Sequence, residues 1–321
     1  MHRLARSVSF LVVLGFGGVA LPACSSSSSS DSTAAAGGTV AESTMSVDSA
    51  NADGTAIAAS LPDSTPTAAS TGEAATDMTT GLEGAKWAGN AKVTIADGTF
   101  RFVSDGLPNH ERQAEYALPN AGVRVPDAST ATAGADPTTA QSYDYSIPTV
   151  PTKAESPTDA SLGTIGVMIS GAALFNPYEG DGSTVAMASN FTVKNAKGEE
   201  VAFLDSCNGH PTPMGQYHYH ALPKCVTSQV DTVGGPSHII GVAFDGYLIY
   251  GDRDANGAVV TKDQLDACNG ITSPTPEFPD GVYHYVLLDT ADSTSSIRCF
   301  TGTVDASLTQ MQGMGAMPPA Q

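Results

Sequence analysis

Basic residues are scarce. The 321-residue chain carries 14 Lys and Arg against 33 Asp and Glu, a formal net charge of −19 at pH 7. Such a surface repels phosphate backbones, so nucleic acid is not an expected partner. The acidic excess serves solubility and attracts cations only weakly. Cysteine is also rare, with five in all and no C-x-x-C pair, which removes the ligand spacing of zinc ribbons and of thioredoxin-like redox centres. There is no G-x-S-x-G elbow, no P-loop and no H-E-x-x-H helix, so the common hydrolase, nucleotide-binding and metalloprotease signatures are missing. Between Ser25 and Gly81 large apolar residues are nearly absent. A stretch of Ser, Thr, Ala, Gly and Asp cannot bury enough surface to offset its ordering entropy, and it reads as a disordered tether over residues 24–82.

The residues that are present begin with MHRLARSVSFLVVLGFGGVALPAC, where Arg3 and Arg6 precede an apolar run that is too short, and wrongly flanked, for a spanning helix. This pattern is an export signal ending in a lipobox, so residues 1–23 are expected to be a lipoprotein signal peptide and Cys24 the acylated first mature residue. The corresponding location is the bacterial cell envelope, lipid-anchored on the exported side, with the membrane as partner. An ordinary cleaved signal peptide that leaves Cys24 as a spare thiol is the alternative, and Pro22 inside the box keeps it open. At the other end, residues 305–321 read as a flexible tail. Its Met311, Met314 and Met317 could offer thioethers to Cu(I), with simple fraying the plainer reading.

Residues 83–304 suit one domain with a sizeable core. Short β-like runs such as TFRFV (99–103), GTIGVMIS (163–170), HIIGVAFD (238–245) and GVYHYVLL (281–288) recur, most of them bounded by Gly, Pro, Asn or Asp. The expected fold is mostly β, a single β-sandwich-like or jelly-roll-like domain with long loops. Asp245-Gly246 between apolar runs predicts a two-residue type I′ hairpin turn. Residues 261–268 predict one short helix, and the Pro-, Thr- and Ala-rich residues 126–162 a long surface excursion.

The chain has only seven histidines, and two of them stand in Tyr217-His218-Tyr219-His220. Asp205 to Gly209 reads DSCNG and Asp266 to Gly270 reads DACNG; the first is followed by YHYH and Cys225, the second by YHYV and Cys299. The shared order D-x-C-N-G, Y-H-Y, C points to a duplicated substructure. Outside the cytoplasm Cys207, Cys225, Cys268 and Cys299 are expected to form two disulfides. Four cysteines allow three connectivities. If the units are equivalent, the simplest is Cys207 to Cys225 and Cys268 to Cys299, each worth about 3 kcal/mol in the chain-entropy model; a Cys207 to Cys268 link between the matching turns stays open. On a strand Tyr217 and Tyr219 share one face while His218 and His220 share the other, and Tyr283, Tyr285 and His284 divide likewise. Were the two strands neighbours, three imidazoles would gather opposite a tyrosine face.

Together with HIIGVAFDGYLIYG (238–251), a late C-F-x-G (299–302), GLPNHE (106–111) and IGVMISGAALFNP (165–177), these motifs resemble the YHYH-domain family of bacterial secreted proteins over about residues 83–302. The resemblance implies membership of a secreted family and assigns no reaction. It brings His110 forward beside the other histidines. His218 and His220 are the chelating pair, expected to act with His210 and with His110 or His284 on a transition metal, Zn or Cu. Asp205 or Asp245 could add a carboxylate ligand or an acceptor that fixes a histidine tautomer, but their CNG and DG contexts favour turn roles. Two other classes compete. One is a metal- or histidine-dependent enzyme acting on a small ligand or envelope polymer. The other is a glycan or peptide module with Tyr217, Tyr219, Tyr250, Tyr283 and Tyr285 as an aromatic platform.

Overall fold

Period-two alternation of large apolar with polar side chains builds the smaller of the two larger sheets. In the computed structural model, which describes residues 75–310, the strand Tyr143–Pro148 buries Tyr143, Tyr145 and Ile147 and exposes Asp144 and Ser146. It pairs with Thr99–Ser104, whose Phe100 and Phe102 point into the same core, and Lys92–Ala96 completes this three-stranded sheet. Three further two-stranded sheets pair Glu115–Pro119 with Ala131–Ala135, Thr192–Lys194 with Glu200–Ala202, and Lys153–Asp159 with Cys299–Gly302. The stretch 126–162 is therefore no surface excursion. Its prolines and threonines fall between and along three strands, one of them contributing core tyrosines. The expectation of a mostly β protein is met. The signal peptide, Cys24 and the methionine tail from Met311 lie outside the described residues.

The main sheet has eight strands: β1 (Thr164–Met168), β2 (Ala173–Phe175), β3 (Gly209–Pro211), β4 (Tyr217–Tyr219), β5 (Ile239–Ala243), β6 (Leu248–Tyr250), β7 (Gly270–Ser273) and β8 (Val282–Val286). Their order is β3-β4-β2-β1-β5-β6-β8-β7. Outward from the antiparallel β1–β5 junction, each half repeats one path: an antiparallel hairpin (β1–β2 or β5–β6), then a parallel neighbour (β4 or β8), then its antiparallel edge strand (β3 or β7). The sheet is thus two copies of a four-strand unit joined at β1 and β5, whose residues are buried throughout.

The repeat extends beyond the D-x-C-N-G and Y-H-Y matches. Ile165-Gly166-Val167 in β1 recurs as Ile240-Gly241-Val242 in β5. Both hairpins turn through three residues and end on a glycine in the left-handed region, Gly171 at φ 95° and Gly246 at φ 90°. Gly171 N donates to Met168 O, and Gly246 N to Ala243 O. The expected two-residue type I′ turn at Asp245-Gly246 is thus a three-residue loop with one left-handed glycine. Asp245 keeps negative φ because its side chain turns inward as a buried acceptor. Asn208 (φ 60°) and Asn269 (φ 72°) take the same left-handed conformation in their units, which asparagine tolerates. The disulfides are Cys207–Cys225 and Cys268–Cys299, the simplest of the three connectivities and one per unit. The helix expected over 261–268 shrinks to a 3-10 turn, Lys262–Gln264.

Candidate metal centre

Gly209 to Pro211 runs antiparallel to Tyr217–Tyr219, and this register sets His210 directly opposite His218. Directly opposed residues share a face, and so does His220, two positions beyond His218. The three side chains leave only 8%, 3% and 2% of their surface exposed. One ring nitrogen from each lies within 4.8 Å of the others. Phe175 stacks on His218 with ring centroids 3.8 Å apart, and the edge of Phe203 meets His210 at 4.4 Å. An apolar wall thus surrounds three polar rings.

Hydrogen bonding fixes how those rings are turned. His218 Nδ1 lies 3.1 Å from Gln216 O, and His220 Nδ1 lies 2.7 Å from Asn176 O. A carbonyl oxygen can only accept, so both Nδ1 atoms carry protons. The two Nε2 atoms then face each other at 2.9 Å with lone pairs. A proton between them would require an imidazolium, and burial opposes that charge. Desolvation holds His220 down to about 4, and burial plus the neighbouring imidazoles holds His210 and His218 well below the ordinary histidine range. His210 Nε2 is the one buried side-chain nitrogen or oxygen without a partner among the described residues. The cluster thus presents at least two uncompensated lone pairs and one orphaned nitrogen, all buried.

The opposite face of β4 is a tyrosine network. Tyr217 and Tyr116 donate to Asp205 Oδ2 at 2.7 and 2.8 Å, and Tyr219 donates to Ser170 Oγ at 3.0 Å. The second unit repeats this arrangement, with Tyr283 on Asp266 and Tyr285 on Asp245. Asp205 and Asp245 therefore serve tyrosine hydroxyls and turn amides, and neither touches the imidazoles. Burial pushes the Asp245 carboxyl up to about 6.

The remaining histidines stand apart. His110 lies on the tyrosine side, its Nε2 2.7 Å from Tyr219 Oη and its Nδ1 2.8 Å from Glu111 O. His284 matches His218 in the second unit, with Nδ1 on Val282 O at 3.0 Å and its ring against Tyr250. Strands β4 and β8 are not neighbours, since β2, β1, β5 and β6 lie between them. The gathering of His218, His220 and His284 that adjacent strands would have produced does not occur; His210 supplies the third ring through the hairpin. His284 faces Ile271, and Val286 stands where the first unit has His220. His238 Nδ1 lies 2.8 Å from Glu277 Oε1.

Tyr217, Tyr219, Tyr250 and Tyr285 are fully buried, which rules them out as an aromatic platform. A cleft of about 630 Å³ is lined by Asp159, Asn176, Tyr178 and Arg298 among others, and a smaller one of about 80 Å³ by Lys86, His238 and Glu277. None of the three clustered imidazoles lines either cleft. Sequence patterns gave no sign of the carbonyls of Gln216 and Asn176, which decide the tautomers, because a backbone acceptor has no residue signature. Phe175 and Phe203 were equally silent, being ordinary core aromatics until the fold seats them on imidazoles.

These features define a mostly β protein whose main sheet is two copies of one four-strand unit, only the first bearing a buried three-histidine cluster. A family model described as YHYH protein matches residues 144–263 and 254–302, and the chain belongs to that family. The match takes in both units of the main sheet, while GLPNHE with His110 lies N-terminal to it. Comparison with curated proteins and with solved structures finds no match.

Proposed function

We propose that the protein is an exported lipoprotein whose YHYH domain binds one transition-metal ion, Zn(II) or Cu(II), through His210, His218 and His220. The observation that carries this reading is the 2.9 Å approach of two Nε2 atoms whose rings have already committed their protons to carbonyls. A cation between them converts a repulsion into two bonds, and His210 gives a third. Imidazole–zinc bonds of about 2.0–2.1 Å require the nitrogens to part by only a few tenths of an ångström. Neutral imidazoles are the ligating form, and burial keeps these rings neutral. The Gln216 and Asn176 carbonyls act as the outer partners that fix ring orientation. The depth of the rings, none of which lines either cleft, favours holding a metal over turning over a substrate.

Metal-stripped, tag-free protein should take up one equivalent of Zn(II) or Cu(II) in calorimetric titration. Changing both His218 and His220 to Ala should abolish that binding while the disulfide-braced fold survives in a thermal melt. Unchanged affinity in the folded double variant refutes the site. The anchor is tested separately. Wild-type protein should enter the detergent phase on Triton partition and Cys24→Ser should stay in water, and equal behaviour of the two removes the lipoprotein reading.

A further inference from the structure

Behind the histidine cluster, on the tyrosine side of β4, lies a second group of potential ligands. The Sγ atoms of Cys207 and Cys225 and one ring nitrogen of His110 all fall within 4.8 Å of one another, and His110 Nδ1 is 3.5 Å from Cys207 Sγ. We propose that these three residues form a redox-controlled metal site, closed while the cysteines are a disulfide and opened by reduction to a Cys2His ligand set. Two thiolates and an imidazole suit a soft or borderline d10 ion, Zn(II) or Cu(I).

The surroundings keep the three residues together whether or not the sulfurs are bonded. Cys207 sits in the D-x-C-N-G turn, where its amide donates to Asp205 Oδ1 at 2.8 Å, and Cys225 sits on the helix Lys224–Val230. The loop bearing His110 is tied to that helix by Asn109 and Gln229, whose side-chain amides exchange hydrogen bonds of 2.7 and 3.2 Å. Asn109 N also donates to Ser170 O at 3.1 Å. His110 Nδ1 faces Glu111 O at 2.8 Å and so carries the proton while the disulfide is closed. Ligation through Nδ1 gives up that hydrogen bond and moves the proton to Nε2, where Tyr219 Oη, 2.7 Å away, accepts it while donating its own proton to Ser170 Oγ. Cys207 is fully buried and Cys225 half-buried, so attack by an incoming thiolate is assigned to the Cys225 side. A dithiol reductant attacks it, transfers two electrons and two protons to the S–S bond, and leaves as its own disulfide. The two thiols then lose their protons to solvent as the ion binds.

The second unit is a built-in control. It has the equivalent disulfide, Cys268–Cys299, but among the described residues no histidine joins those sulfurs in a ligand group. Reduction should therefore create one new site per chain. The test compares zinc stoichiometry of oxidised protein with protein reduced by a phosphine and desalted under argon, with near-ultraviolet circular dichroism recorded on both. The increment on reduction is the readout, so it is independent of whether the three-histidine cluster binds. One added zinc per folded chain is expected, retained in the Cys268→Ser, Cys299→Ser variant and weakened at least about tenfold in His110→Phe. A reduced chain that keeps its fold yet binds no additional zinc overturns the proposal. So does one that loses its fold on reduction, or an increment indifferent to His110.

Discussion

Asp205 and Asp266 occupy the same position in the two units, accept from the same turn amides and receive a tyrosine hydroxyl each, yet their burial differs. Asp205 is buried and carries two hydroxyls, from Tyr116 and Tyr217, beside the amides of Cys207 and Gly209. Asp266 is exposed, and its Tyr283 hydroxyl has a second partner in Thr301. Removing a buried acceptor strands its donors at about 1–3 kcal/mol each, whereas water replaces an exposed one. Asp205→Ala should therefore destabilise the fold by roughly 3 kcal/mol or more, and Asp266→Ala by about 1 kcal/mol or less. Urea denaturation of both variants checks this, and equal losses would show that burial is not what separates the two aspartates.

At the scale of strands and hairpins, the two units differ at the metal-facing positions: His210 against Ile271 and His220 against Val286, with His218 and His284 in common. His284 already has its Nδ1 on Val282 O, as His218 has on Gln216 O. Replacing Ile271 and Val286 with His should thus give the second unit a competent three-imidazole set. Zinc stoichiometry of the oxidised protein should rise by one, at a cost of about 1–3 kcal/mol for disturbing a packed position. An unchanged count in a folded variant would show that the tautomer-fixing carbonyls or the aromatic wall, not the ring positions alone, make the site. This is also where the sequence stops being legible. Alternation told which side chains of YHYH share a face, and the D-x-C-N-G and Y-H-Y matches pointed to the duplication and made the observed disulfide pairing the simplest of three, with a Cys207 to Cys268 link left open. The pairing of His210 with His218 depends on hairpin register, and the separation of His284 from His218 depends on two parallel crossovers. Both are long-range facts that no local pattern encodes. The turn at Asp245-Gly246 misled for a related reason, since a buried acceptor role overrides the local preference of the pair.

Across the whole molecule, buried ionisable groups of opposite sense set the acid limit. His210, His218 and His220, with His110 and His284, are all held below the ordinary histidine range, chiefly by burial. In the unfolded chain each binds a proton below about pH 6.5. The folded state declines those protons, so the stability these rings contribute is present above about pH 6.5 and is lost as pH falls toward the folded values. For His220, held to about 4, the loss is on the order of 3 kcal/mol. Burial acts the other way on carboxyls, pushing Glu179 up to about 7 and Asp245 up to about 6. Their contribution is greatest below the unfolded carboxyl range and fades as pH rises through these values. Burial also raises Asp231 and Asp252, which are only half-buried. Five imidazoles, three of them deeply buried together, oppose these four carboxyls, so the histidine sense wins. The melting temperature of metal-free protein should fall between pH 6.5 and 4.5. In Glu179→Gln the fall should be steeper, because one of the offsetting carboxyls is gone. A melting temperature that stays flat or rises over this interval would mean that the imidazoles are not held neutral in the folded core, and the physical basis of the metal centre would fall with it.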